Sequence, residues 1–206
     1  MKIHPHSKLL MIGDSITDCG RNRNESLGSG YVRFIHNALT ENYPQAGIQI
    51  INKGISGNTV RDLKRRWQRD VLDLKPDWLL VMIGINDVWQ QMDDWMPIEM
   101  CVSIEEYERT LDELISVVAP SLKGLILMTP YVLEPGLSDP MRTLMDKFGE
   151  VARRTAKKYD AIFVDTQAAF DDVLKTMDST ALSEDKVHMN AGGHQILANA
   201  FLKAVE

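Results

Sequence analysis

Cysteine is scarce in this 206-residue chain: only Cys19 and Cys101 occur. Two thiols cannot form the disulfide framework of a small secreted scaffold, and in a chain of cytosolic character they read as free. A long apolar run is also missing, so no segment reaches the length of a membrane span. Leu9 to Ile12 is too short for the apolar region of a secretory leader. It runs into Asp14-Ser15 in place of a small-residue cleavage motif. Positive charge is in deficit, with 23 Lys and Arg against 29 Asp and Glu and a net charge of −6. No Lys/Arg block stands out, which argues against a phosphate-backbone partner. The densest basic stretch, Arg61 to Arg69, is interleaved with Asp62, Leu63 and Trp67, the pattern of an exposed helix face. Zincin, cysteine-cluster and calcium-loop motifs are absent, as are the Gly-x-x-x-x-Gly-Lys phosphate loop and the Gly-x-Gly-x-x-Gly fingerprint. The sequence thus implies no metal and no nucleotide cofactor. It leads to the expectation of a cytoplasmic protein that meets neither nucleic acid nor membrane.

What is present is an ordinary globular composition, 44% apolar and 25% charged. Short apolar runs alternate with longer segments of helical period. Leu9–Asp14, Ile48–Asn52, Trp78–Gly84, Gly124–Thr129 and Ala161–Asp165 are nearly continuous in apolar residues, as expected of strands buried on both faces. Helices are expected over Tyr31–Tyr43 and Thr59–Leu74, the second with Val60, Leu63, Trp67, Val71 and Leu74 on one stripe. Ser103 with Glu106 fits a capping box ahead of a helix that Pro120 closes. Asp139-Pro140 reads as an N-cap followed by proline at the first helical position. A last helix is expected over Ile196–Val205. This alternation predicts an α/β fold, a parallel sheet of about five strands covered by helices on both faces. No linker or repeat divides the chain, so a single domain over 1–206 is expected. Right-handed crossovers would then bring the polar strand ends to one edge, where such sheets bind ligands.

Four polar clusters fall at those ends or in a late loop. Ser15 follows the first strand, but a serine hydroxyl is a weak nucleophile without an adjacent base. Thr17 stands where the Gly-x-Ser-x-Gly elbow needs its second glycine, which disfavours an ordinary α/β-hydrolase. Of five histidines, His4 and His6 lie near the N-terminus and His36 lies mid-helix, leaving His188 and His194. His194 follows Gly192-Gly193, where capping or packing accounts for it. Asp185 precedes His188 by three residues, close enough to accept its Nδ1–H and leave Nε2 facing a serine. Gly57 can offer an unobstructed backbone N–H and Asn86 a side-chain amide to a developing oxyanion. Each has an ordinary alternative, a turn at Gly57 and a cap at Asn86. Cys19, four residues past Ser15, is placed to border the same site.

Gly13-Asp14-Ser15, Gly57 in Ile-Ser-Gly-Asn, Gly84-x-Asn86-Asp87 and Asp185-x-x-His188 resemble, in order, the four blocks of the SGNH (GDSL-type) hydrolases. The resemblance implies a flavodoxin-like three-layer α/β/α sandwich and a catalytic triad of Ser15, His188 and Asp185. It adds the Ser15 N–H to Gly57 and Asn86 in the oxyanion hole. Ile12 to Arg21, Asn52 to Asp62 and Met82 to Trp89 are similar to the acetyl xylan esterase-like branch. One departure is Met189, where the family usually has proline after the histidine. Losing that φ restriction is expected to loosen the loop.

Trp89 to Met100 gathers Trp89, Met92, Trp95, Met96 and Met100 just after the Asn86 block. Trp89 and Trp95 are candidate substrate-binding residues. The same cluster suits a homo-oligomer contact equally well by its composition, and plain core less well. Three functions fit these features: a carbohydrate O-acetyl esterase, a lipid or thioester acylhydrolase, or a silent binding protein on the same fold. The complete Ser15, His188 and Asp185 set disfavours the last. An ester of a small acyl group on a xylo-oligosaccharide is the substrate that fits both compartment and resemblance.

Overall fold

The computed structural model describes residues 1–92 and 96–206. Five strands form one parallel sheet: β1 (Lys8–Gly13), β2 (Gln49–Gly54), β3 (Trp78–Met82), β4 (Gly124–Met128) and β5 (Ile162–Val164), in the order β2-β1-β3-β4-β5. The apolar runs predicted this; β1, β3 and β4 are buried almost throughout. The chain leaves β1 toward β2 and returns to β3 on the other side of β1. That reversal opens a crevice at the carboxyl end of β1.

Register makes the crevice a site. Gly13 pairs with Gly54 on one side and Met82 on the other, so three adjacent strands end level. The segments carrying Ser15, Gly57 and Asn86 therefore emerge side by side. Helices α2 (Tyr31–Asn42) and α8 (Ala191–Val205) pack together, while α3 (Val60–Trp67), α5 (Ile104–Val118) and α6 (Pro140–Lys158) form a second packed group. This is the three-layer α/β/α sandwich. Its buried side chains form one contiguous cluster.

Caps define the helix starts. Asp139 accepts from the Arg142 N–H with Pro140 next, as its sequence implied. Ser103 accepts from the Glu106 N–H, yet the Glu106 carboxylate binds Arg61 at 2.6 Å and leaves the expected capping box half built. The full carboxylate return is made elsewhere, where Asp62 accepts from both the N–H and the hydroxyl of Thr59. The single helix expected over Thr59–Leu74 is α3 followed by a π-helical turn, Gln68–Leu72. The last helix begins at Ala191, earlier than the expected Ile196, because Asn190 caps it through the N–H groups of Gly192 and Gly193. Three further helices were not apparent in the sequence: α1 (Ser15–Asp18), α4 (Ile85–Met92) and α7 (Thr166–Leu174). α1 and α4 are short and interrupt the polar blocks, so little apolar period marks them.

Candidate active site

Ser15 opens α1, directly past the end of β1. Asp14 caps that turn by accepting from the Ile16 N–H at 3.0 Å. Ser15 Oγ lies 2.9 Å from His188 Nε2, and His188 Nδ1 lies 2.7 Å from Asp185 Oδ2. Asp185 Oδ1 accepts from the N–H groups of Val187 and His188 at 2.9 and 2.7 Å and from the Ser183 hydroxyl at 3.0 Å. Partial burial works against its charge. The hydrogen bonds from His188, Val187 and Ser183 outweigh that and hold the carboxyl down at about 2. An ionised Asp185 fixes the imidazole with its proton on Nδ1 and leaves Nε2 as acceptor for the serine proton.

The loop carrying His188 is tied down without the proline. The Tyr131 hydroxyl donates to the Val187 carbonyl at 2.8 Å, the Leu133 N–H to the Lys186 carbonyl at 2.8 Å, and Lys186 pairs with Glu134. Met189 bridges to Ser183 and is buried. The loosening expected from Met189 is countered by these contacts, which restrict the loop from outside where a ring would restrict it from within.

The second wall comes from β2 and β3. Gly57 has φ +79°, a conformation that a side chain would strain, and no atom lies within 4 Å of where a Cβ would stand. Asn86 donates through Nδ2 to the Asn58 carbonyl at 2.9 Å, which uses one amide hydrogen and leaves the other. Asn58 is held by Arg66, whose guanidinium also donates to the carbonyls of Lys53 and Gly13 at 2.7 and 2.9 Å. Arg66 is only 7% exposed and pairs with Asp70 at 3.1 Å. This corrects the reading of Arg61 to Arg69 as a wholly exposed face: Arg65 and Arg69 face solvent, while Arg66 points inward to satisfy carbonyls at two strand ends.

Two buried carboxyls lie beneath. Asp87 accepts from the Val60 N–H at 3.0 Å, and desolvation pushes its carboxyl up to about 7. Asp14 is likewise raised to about 7 by complete burial, opposed by the Ile16 N–H and by the charge of His188. Sequence patterning gave Asp14 and Asp87 no role, because nothing local distinguishes a buried aspartate from a cap.

Ser15, Gly57, Asn86 and His188 line a cleft of about 560 Å³ together with Ile16, Cys19, Ser29, Met189 and His194. Cys19 and Cys101 are both unpaired, and Cys19 does border the site as its spacing suggested. Trp89 is half-buried, and its ring centroid stands 6.1 Å from that of His188, so it flanks the imidazole. Trp95 lies outside the described residues. Met92, Ile98 and Met100 are 40%, 58% and 63% exposed, so these three side chains are not plain core.

A serine, an imidazole and a carboxylate linked in series at the carboxyl edge of a parallel sheet define a serine hydrolase of the α/β/α type. The chain belongs to the GDSL-like Lipase/Acylhydrolase family, whose profile matches residues 11–196. It is 52% identical to an acetylxylan esterase of Geobacillus stearothermophilus, over 100% of this chain and 96% of that one. The crystal structure of that organism's acetylxylan esterase Axe2 superposes with a TM-score of 0.96 at 52% identity, covering 100% of this chain and 96% of the other. LAE5, an alpha/beta hydrolase enzyme from the metagenome of Lake Arreo, matches with a TM-score of 0.97 at 47% identity, covering 100% and 97%. Among the described residues no helix is long and apolar enough to cross a membrane.

Proposed function

We propose that this chain is a serine esterase that removes acetyl groups from acetylated xylo-oligosaccharides, acting as one domain over residues 1–206. The continuous relay from Ser15 through His188 to Asp185 carries the reading. Ser15 Oγ attacks the acyl carbon while its proton passes to His188 Nε2. Negative charge develops on the acyl oxygen, and the N–H groups of Ser15 and Gly57 and the free amide hydrogen of Asn86 receive it. Collapse expels the sugar alkoxide, which takes the proton from His188, and leaves Ser15 acetylated. Water, deprotonated by the same nitrogen, then releases acetate and restores the serine. Asp185 stays ionised throughout and stabilises the imidazolium between the two proton transfers.

The substrate follows from the whole-chain likeness to an acetylxylan esterase, and from related Geobacillus structures described as an acetyl-xylooligosaccharide esterase. Trp89 beside His188 offers a ring face for the leaving sugar, and Trp95 in the same segment is the second candidate. Two unpaired cysteines suit a reducing, cytoplasmic compartment. The exposed Met92, Ile98 and Met100 suit self-association of the chain.

A panel of acetyl, butyryl and octanoyl nitrophenyl esters, run beside acetylated xylo-oligosaccharides, tests the reading. Acetyl esters should exceed butyryl esters by at least about tenfold in kcat/KM, the low end of what misfitting methylenes cost. Faster turnover of octanoyl than acetyl esters would instead identify a lipid or thioester acylhydrolase. Oligosaccharides left acetylated by an enzyme active on nitrophenyl acetate would remove the sugar assignment.

A further inference from the structure

One side of the cleft is built from polar groups whose hydrogen-bond donors are spent on one another. The Tyr31 N–H donates to His194 Nδ1 at 3.2 Å, which places the imidazole proton on Nε2. Nε2 lies 3.3 Å from Cys19 Sγ, so the sulfur is the acceptor. Sγ in turn lies 3.6 Å from Ser29 Oγ, and the Ser29 hydroxyl donates to the Cys19 carbonyl at 3.1 Å. Every donor in this chain of four groups is committed inward. Burial holds His194 down at about 4, so it stays neutral and keeps this tautomer at neutral pH.

The sulfur is also held sterically. Cys19 has φ +40°, the left-handed region where a side chain is normally disfavoured, although Gly20 follows it. Gly30 lies beneath: a Cβ there would come within 2.8 Å of Cys19 Sγ and of His194 Cε1. Gly193 plays the same part for the next lining residue, since a Cβ there would stand 2.6–2.9 Å from the Met189 side chain. Both wall side chains therefore rest on bare backbone and cannot withdraw from the cleft without moving it.

Resting on the esterase reading above, we propose that Cys19, locked by His194 and Gly30 and continued by Met189, is the wall that limits acyl length. The donors of His194 and Ser29 are spent within this wall, which leaves a sugar few partners, whereas an acetyl methyl needs only a close apolar contact. The leaving sugar then takes the side of Trp89 and His188, where the proton is delivered.

Cys19→Ala tests this with Cys19→Ser beside it. The serine is only slightly smaller and still accepts from His194 Nε2, so it should hold the wild-type acyl preference within about twofold. The alanine should raise the butyryl-to-acetyl ratio of kcat/KM by about tenfold, the effect of room for a methylene. Met189→Ala, changing the same wall from another loop, should move that ratio in the same direction. A purely structural effect would lower both esters together and leave the ratio fixed, which would overturn the proposal. So would a change in the ratio of acetylated oligosaccharide to nitrophenyl acetate with the acyl preference unmoved, since the wall would then face the leaving group. The esterase reading stands through either of those results. It falls on the wild-type protein alone, if that protein hydrolyses no acetyl ester or prefers octanoyl esters.

Discussion

His188 Nε2 meets Ser15 Oγ, whereas His194 is held by the Tyr31 N–H and Cys19 in the same cleft. His188→Ala should lower turnover by about 10⁴-fold or more, since one imidazole serves both proton transfers. His194→Ala should leave hydrolysis within about tenfold. It should cost about 1–3 kcal/mol in denaturant unfolding, because the buried Tyr31 N–H loses its acceptor. With His194 neutral down to about 4, the acid limb of the pH–rate profile should persist in that variant. If His194→Ala is inactive at wild-type stability, the pairing of Asp185 with His188 has been assigned to the wrong base. At this scale the sequence was legible where chemistry is local: Asp185 and His188 sit three residues apart, and Ser15 ends a strand. It was illegible where partners are distant. The Tyr31 N–H reaches His194 across 163 residues, and no spacing rule carries that.

Strand ends bring the polar blocks together, and Arg66 fastens them. The alignment of Gly13 with Gly54 and Met82 was implicit in the alternating β and α segments, since parallel strands joined by right-handed crossovers all point one way. The inward turn of Arg66 was not, because an arginine following Lys64 and Arg65 reads as solvated surface until tertiary contacts decide it. Its guanidinium joins the Gly13 and Lys53 carbonyls to Asn58, and Asn58 takes the Asn86 amide. Arg66→Met should therefore destabilise by at least about 3 kcal/mol, because charge-assisted hydrogen bonds to buried carbonyls are lost together. Asp70 retains Arg69 and Lys53, which moderates the loss. The same variant should lower kcat more than it raises KM, since a released Asn86 weakens binding of the oxyanion before binding of the ester. Chemical unfolding and steady-state kinetics check both. Wild-type stability would refute the bridging role of Arg66. The helices missed in the sequence follow the same division: α1 is held by its Asp14 cap, α4 is a short helix just past the end of β3, and α8 gained a turn because Asn190 overrode two glycines.

Across the whole molecule, a sheet buried on both faces supplies a rigid edge, and the chemistry is confined to one end of it. The exposed relay residues sit over carboxyls that burial raises to about 7, so the site combines an ionised Asp185 with Asp14 and Asp87 held largely protonated below neutrality. In the proposed mechanism Ser15 carries the acyl group between two half-reactions. Acid quenching during turnover of nitrophenyl acetate, followed by peptide mass spectrometry, tests it most directly. A single acetyl group should appear on the peptide containing Ser15, located on Ser15 and absent from Ser15→Ala. An acetyl group on Cys19, or steady-state hydrolysis by Ser15→Ala at the wild-type rate, would contradict it.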